Sequence, residues 1–305
     1  MFEHSNIQIG IAPINWTNDD MPSLGSKNNF EQILSETALT GYAGTEIGIT
    51  FPDGIEDIKN VVKLQYHLDL RNLKIASKWV GVYLATQDFE KVVKNFEEEL
   101  KILKLLNADC INVCEMSYNL FRSNQSMFIN KPKLSNQEWK SLCKGLNALG
   151  KLAYKYGIKL CYHHHMGTVV QTLEEITYLL VNTNSKYVHL CLDTGDLILA
   201  DIEPASFIQK FGKRIAHIHL KDLYSEKMVI AQKENYSFRD AIRNNCFTVP
   251  GDGNGYINFV EIFMALDEIN YSGWLIVEAE QDPDLANPFE YALKARYYLS
   301  AMLDL

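Results

Sequence analysis

The chain contains no apolar run near the roughly 20 residues that a membrane-spanning helix needs, so a membrane partner is not expected. Met1 to Ile9 shows no basic segment followed by a long apolar core, and no secretory leader is read there. Positive charge is in deficit: 29 Lys and Arg stand against 38 Asp and Glu, a net charge of −9. Phosphate binding needs a basic face, so a nucleic-acid partner is not expected either. The six cysteines (Cys110, Cys114, Cys143, Cys161, Cys191, Cys246) have no framework spacing. Several lie in or beside apolar strand-like runs, which points to buried free thiols in a reducing cytoplasm rather than to disulfides. No glycine-rich fingerprint follows the first apolar run; Gly10 leads to Ala12-Pro13-Ile14-Asn15-Trp16, which counts against a dinucleotide fold. No linker or composition break divides residues 1–305, which read as one domain.

At 305 residues and 47% hydrophobic content the chain can bury a large core. Short apolar runs recur at Ile7–Ala12, Gly44–Ile47, Lys74–Lys78, Asp109–Cys114, Lys159–His163, Val188–Asp193, Ile215–His219 and Trp274–Glu278. Helical patterns fill the gaps. Phe89, Val92, Phe96, Leu100 and Leu103 draw one apolar stripe, with Asp88 before it as N-cap. Ser135 and Glu138 form a capping box for a helix carrying Leu142, Leu146, Leu149 and Leu152, which Gly157 ends. Asn287-Pro288 opens a last helix. Strand and helix alternating in this way predict a parallel sheet, and eight such units in a chain of this length predict a (β/α)8 TIM barrel. Residues 223–254 read as an insertion over the barrel mouth.

In such a barrel the C-terminal strand ends converge on one mouth. His163 follows the fifth run, Asp193 the sixth, His219 the seventh and Glu278 the eighth. Together they form a ligand set suited to a divalent metal. Residues two apart share a strand face, so His165 accompanies His163 while His164 turns away. Glu280 accompanies Glu278, and His217 stands behind His219 as a supporting or a core histidine. Asn15 and Trp16, Glu46, Lys78 and Trp79, and Glu115 end the earlier runs. A mouth of carboxylates, amide, ammonium and indole suits a polyhydroxylated small molecule.

Asn15-Trp16-Thr17-Asn18-Asp19-Asp20-Met21, Gly44-Thr45-Glu46, Tyr162-His163-His164-His165-Met166-Gly167-Thr168, Phe247-Thr248-Val249-Pro250-Gly251-Asp252-Gly253 and Val277-Glu278-Ala279-Glu280-Gln281-Asp282-Pro283 together resemble the inosose dehydratases of myo-inositol catabolism, which are xylose-isomerase-like barrels. The resemblance runs from Ile9 to about Tyr298. It implies loss of water from 2-keto-myo-inositol (scyllo-inosose) to a trihydroxycyclohexane-1,2-dione, with Mn2+ or Co2+ as cofactor. It also implies metal ligation on strands five to eight, here at His163, Asp193, His219 and Glu278. The chain departs from the family at Asp196, where a histidine is usual, and at Lys78, where glutamine is expected; both count as substrate contacts, and the departures either alter substrate preference or compensate one another as carboxylate and ammonium across the mouth.

The implied chemistry needs a base for the α-proton and an acid for the leaving hydroxyl, and His165, Glu280, Glu115 and Lys221 are the candidates. A ketose or inosose epimerase or isomerase, a metal-dependent endonuclease and a noncatalytic sugar-binding barrel are the competing readings. A homo-oligomer is compatible with the sequence.

Overall fold

The computed structural model describes residues 6–51 and 58–304. Eight parallel strands close into a barrel: β1 (Ile7–Ile11), β2 (Gly44–Ile47), β3 (Lys74–Val82), β4 (Cys110–Glu115), β5 (Lys159–His163), β6 (Val188–Asp193), β7 (Ile215–Leu220) and, after two short strands, β10 (Gly273–Val277). Going round the barrel the order is β1-β10-β7-β6-β5-β4-β3-β2, each strand beside its sequence neighbour. Helices between the strands form the outer layer, among them α1 (Phe30–Leu39), α2 (Ile58–Asp69), α3 (Phe89–Leu105), α4 (Asn136–Tyr156) and α5 (Leu173–Val181). After β6 come α6 (Thr194–Leu199) and α7 (Pro204–Phe211), and α10 (Phe259–Glu268) precedes β10.

The strands are buried on both faces, as parallel strands under helices must be, and this is why they read as continuous apolar runs. Trp274 fills the inside of the barrel because Gly10 and Gly44 leave room; a Cβ on Gly44 would stand 2.7 Å from its ring. Cys110, Cys161 and Cys191 share one cluster on adjacent strands, and all six cysteines are free and buried, as expected.

The helix ends follow their sequence signals. The Asp88 side chain accepts the Lys91 N–H, Ser135 and Glu138 cap each other, and Gly157 takes the left-handed conformation at φ 79°. The expected stripe on α3 is buried from Val92 onward, but Phe89 at its first turn is exposed. Strand β3 runs past the expected Lys78 to Val82, so Lys78 and Trp79 lie inside the strand and not at its end.

The segment after β7 packs against the barrel loops. β8 (Asp222–Leu223) and β9 (Phe247–Thr248) pair antiparallel around α8 (Ser225–Lys233) and α9 (Phe238–Arg243). Phe238, Ile242 and Phe247 from this segment join Met116, Phe121 and Met166 from the barrel loops in one buried apolar cluster. Asp252 ties it to α11 (Pro288–Leu303) through a 2.8 Å bond from Lys294 Nζ. No described helix is long and apolar enough to cross a membrane.

Candidate active site

A pocket opens at the C-terminal end of the barrel, and His163, His165, His219, Glu278 and Glu280 line its floor and wall. The tight packing of β5 to β10 places them. Asp193 pairs in register with His219, and just past the end of β10 the Glu278 N–H donates to Leu220 O at 3.1 Å.

Four groups meet at the base of the pocket. His219 Nδ1 is 2.9 Å from Glu278 Oε2 and 3.9 Å from Asp193 Oδ2, and His163 Nε2 is 3.7 Å from that same oxygen. Asp193 Oδ1 is used elsewhere; it accepts the Asp196 N–H and caps α6. Asp193 Oδ2, His219 Nδ1 and His163 Nε2 are all buried with no aligned hydrogen bond. Ligand atoms of Asp193, His219 and Glu278 lie within 4.8 Å of one another. Ligands about 2.1 Å from one cation stand roughly 3 to 3.5 Å apart, so small adjustments of this trio would enclose one. Two carboxylates and an imidazole are a donor set for a divalent cation, and the fit is good.

Lys221 is the counter-charge. Its ammonium is wholly buried, 2.8 Å from Glu278 Oε1, 2.8 Å from Glu280 Oε1 and 3.1 Å from Asp193 Oδ2. Burial disfavours the ammonium, but these carboxylates hold its pKa well above the usual lysine range. Lys221, expected as a proton carrier, is enclosed by these carboxylates and does not line the pocket. Three carboxylates face this one ammonium. Burial works to raise Glu278, yet His219 and Lys221 bring it down to about 2. Burial also raises Glu280, which Lys221 opposes and Glu278 reinforces, and its carboxyl ends at about 8. Glu280 Oε2 has no partner.

A second layer supports the first. Glu46 Oε1 lies 2.8 Å from His217 Nε2 and 3.1 Å from His219 Nε2, and accepts from Ser77 and Asn112 as well. Burial works against its charge, but His219 and His217 hold it well below the usual range. The bond from His219 Nε2 leaves Nδ1 aimed at Asp193 and Glu278, the arrangement that orients a ligating histidine. His217 is thus a supporting residue, and Glu46, read as a substrate contact, spends its nearer oxygen on this layer. His164 turns away as expected; its Nε2 accepts the Asp193 N–H at 3.4 Å.

Five expected contacts are placed elsewhere. Trp16 is buried outside the pocket with its indole donating to Glu36 of α1. Asn15 accepts the Ala279 N–H at 3.2 Å, holding the backbone between Glu278 and Glu280, and does not line the pocket. Glu115, read as a proton carrier, accepts the Leu84 and Ser117 N–H groups at 2.8 and 2.9 Å and stays behind the wall. Lys78 points outward to α3, where it pairs with Glu99 at 2.6 Å, because Ser77 beside it takes the inward side. Asp196 is buried with Oδ2 3.8 Å from His165 Nε2, and neither of its oxygens has a hydrogen-bond partner. Lys78 and Asp196 therefore do not compensate one another. Lys78→Gln should leave kcat/KM within about twofold, since a partly exposed pair contributes little even to stability; steady-state kinetics beside Asp196→His checks this, and equal losses in both variants would contradict it.

Other pocket residues carried no sequence assignment. Phe121 stacks on His165 at 4.5 Å between ring centres, and Arg122 above it binds Asp20 Oδ1 at 2.9 Å. Arg239, from α9, donates to Asp20 O at 3.2 Å, so three loop segments meet at Asp20. Asp19 also lines the pocket, its carboxyl raised to about 7 by burial and by Asp20. Asp19 and Asp20 lie in the Asn15–Met21 motif, a usable signal; Phe121 and Arg122 sit in a long loop with none.

This geometry agrees with what the chain resembles. Residues 34–300 match the family described as xylose isomerase-like TIM barrel. An inosose dehydratase of Bacillus thuringiensis is 46% identical over 300 residues, covering 98% of each chain. One from Clostridium perfringens is 44% identical over 303 residues, covering 99% of each. Among solved structures, the probable 3-DHS dehydratase AsbF of Bacillus anthracis superposes with a TM-score of 0.73 at 15% identity, covering 96% of this chain and 98% of that one, a likeness of fold alone. A closed barrel with its polar groups gathered at one mouth, and near full-length identity of this size, place the chain among the xylose isomerase-like TIM barrels and, within them, in the inosose dehydratase family.

Proposed function

We propose that this protein removes water from 2-keto-myo-inositol, or a close inosose, to give the corresponding trihydroxycyclohexane-1,2-dione. One observation carries the reading: a chain of the inosose dehydratase family sets a cation-binding trio in one pocket with the His165 imidazole and the Glu280 carboxyl. Asp193, His219 and Glu278 would hold a divalent cation, for which Mn2+ or Co2+ is the choice the family resemblance implies, and the chemistry supplied there would be polarisation of the ketone, which lowers the cost of removing the adjacent proton.

The chain's own groups divide the proton work. His165 Nδ1 is 2.8 Å from Met166 O, and a carbonyl only accepts, so Nδ1 carries the proton and Nε2 is bare. Burial and the Lys221 charge keep the ring neutral by lowering its pKa. His165 Nε2 is accordingly the base that takes the α-proton. Glu280 keeps its proton near neutrality and is the acid for the departing β-hydroxyl. Trp79 and Phe121 supply apolar surface for the ring, while Arg122, Asp19 and Asp20 face its outer hydroxyls.

Mass spectrometry of scyllo-inosose incubated with protein and Mn2+, against a chelated control, tests this. A cation-dependent loss of one water supports it. An unchanged mass with a new isomer would instead make the protein an epimerase.

A further inference from the structure

His163 stands where a cation ligand is expected, with Nε2 3.7 Å from Asp193 Oδ2. The hydrogen bond on its other nitrogen argues for a different role. Trp79 Nε1 lies 3.0 Å from His163 Nδ1. An indole N–H only donates, so Nδ1 accepts and is without a proton. An imidazole that is bare at Nδ1 carries its proton on Nε2, and a protonated nitrogen has no lone pair for a cation. The opposite tautomer would set two N–H groups against each other across this 3.0 Å contact. His163 Nε2 is buried, has no hydrogen-bond partner, and belongs to a ring that lines the pocket.

We infer that His163 is a neutral N–H donor to the substrate oxygen seated beside Asp193, that Trp79 is the positioning residue which sets its tautomer, and that Asp193, His219 and Glu278 hold the cation without it. The identity of that oxygen, the ketone or its neighbouring hydroxyl, rests on the dehydratase reading; the tautomer does not. The two histidines at this strand end then take opposite forms for opposite tasks. Met166 O fixes the proton of His165 on Nδ1, leaving a base at Nε2, while Trp79 fixes the proton of His163 on Nε2, leaving a donor. A fixed N–H in a water-excluded site stabilises negative charge as it develops on oxygen, and a neutral imidazole serves this purpose well.

The test has two arms that do not read turnover. In protein labelled with 15N-histidine, the His163 signals, identified by their loss in His163→Gln, should report protonated Nε2 and bare Nδ1 both without and with Mg2+ or Zn2+ as diamagnetic probe cation. In calorimetric titration with Mn2+, His163→Gln and His163→Ala should bind within about threefold of the unaltered protein, whereas changing the second-layer group Glu46 to Gln should cost about 10- to 100-fold. A metal-loaded His163 with bare Nε2, or a His163→Gln affinity loss as large as that of Asp193→Asn, overturns the inference. In the turnover arm, Trp79→Phe should lower kcat about 100-fold with unchanged Mn2+ affinity, the usual cost of losing one oxyanion donor. His163→Gln, whose amide can donate, should retain more activity than His163→Ala; the reverse order counts against the donor role. A protein that binds cation but dehydrates no inosose would defeat the dehydratase reading and leave the first two arms intact.

Discussion

Asp193→Asn should abolish tight divalent-cation binding and lower turnover by about three orders of magnitude, the scale of a Lewis-acid contribution of several kcal/mol. The substitution separates the two oxygens of the side chain. Oδ1 accepts the Asp196 N–H at the start of α6, and an asparagine oxygen caps a helix as well as an aspartate does. Folding is therefore expected to survive. Oδ2 is the buried, unaligned oxygen that faces His219 and His163, and an amide nitrogen placed there has no lone pair to give and no negative charge. Calorimetric titration of Mn2+ into chelator-stripped protein, with thermal denaturation as the folding control, reads the two effects apart. Unaltered affinity in a folded variant would remove Asp193 from the ligand set. His165→Ala is the matching control: it should lose turnover while binding the cation normally, because the His165 ring contacts Met166 O and Phe121 and no member of the trio.

The sequence carried the barrel because its parallel strands are buried on both faces and punctuated by helix caps. Ser135 with Glu138, Gly157 and Asn287-Pro288 each stand where the chain turns. That His163, Asp193, His219 and Glu278 would meet was legible for a related reason: strand ends converge by topology alone, so order along the chain stands in for nearness in space. What failed was facing. A polar residue near a strand end can point at the mouth, at the outer helices or at a neighbouring loop, and one residue of extra strand reverses the answer. Lys78 reached Glu99 on the outside because β3 continues to Val82, and Glu115 holds loop N–H groups behind the wall. Trp16 lies beyond the short turn after β1, where two-residue alternation no longer applies. Tautomers were out of reach for a deeper cause. The indole of Trp79 and the carbonyl of Met166 decide them, and neither contact follows from spacing along the chain.

Lys221→Met should destabilise the metal-free protein by about 3–5 kcal/mol, the cost of stranding buried charge, a fall of roughly 10 °C in Tm. The ammonium is fully buried between Asp193, Glu278 and Glu280, and packs at 5.5 Å from the ring centre of Phe247. Its stem passes Gly195, where a Cβ would meet Lys221 Cγ at 2.8 Å, so the chain is shaped around this side chain. Methionine nearly matches the stem and leaves the carboxylates facing one another without a cation. Their mutual repulsion then raises their folded-state pKa values above the roughly 4 of an unfolded chain. A raised folded pKa gives stability that is present at low pH and lost as pH rises through it, so the deficit should be larger at pH 8 than at pH 5. A divalent cation supplies the missing charge at the same carboxylates and stabilises by mass action, so Mn2+ should restore more Tm to the variant than to the unaltered protein. Thermal denaturation at the two pH values, with and without Mn2+, decides the matter. A deficit independent of both pH and Mn2+ would mean that Lys221 contributes packing there, and not charge.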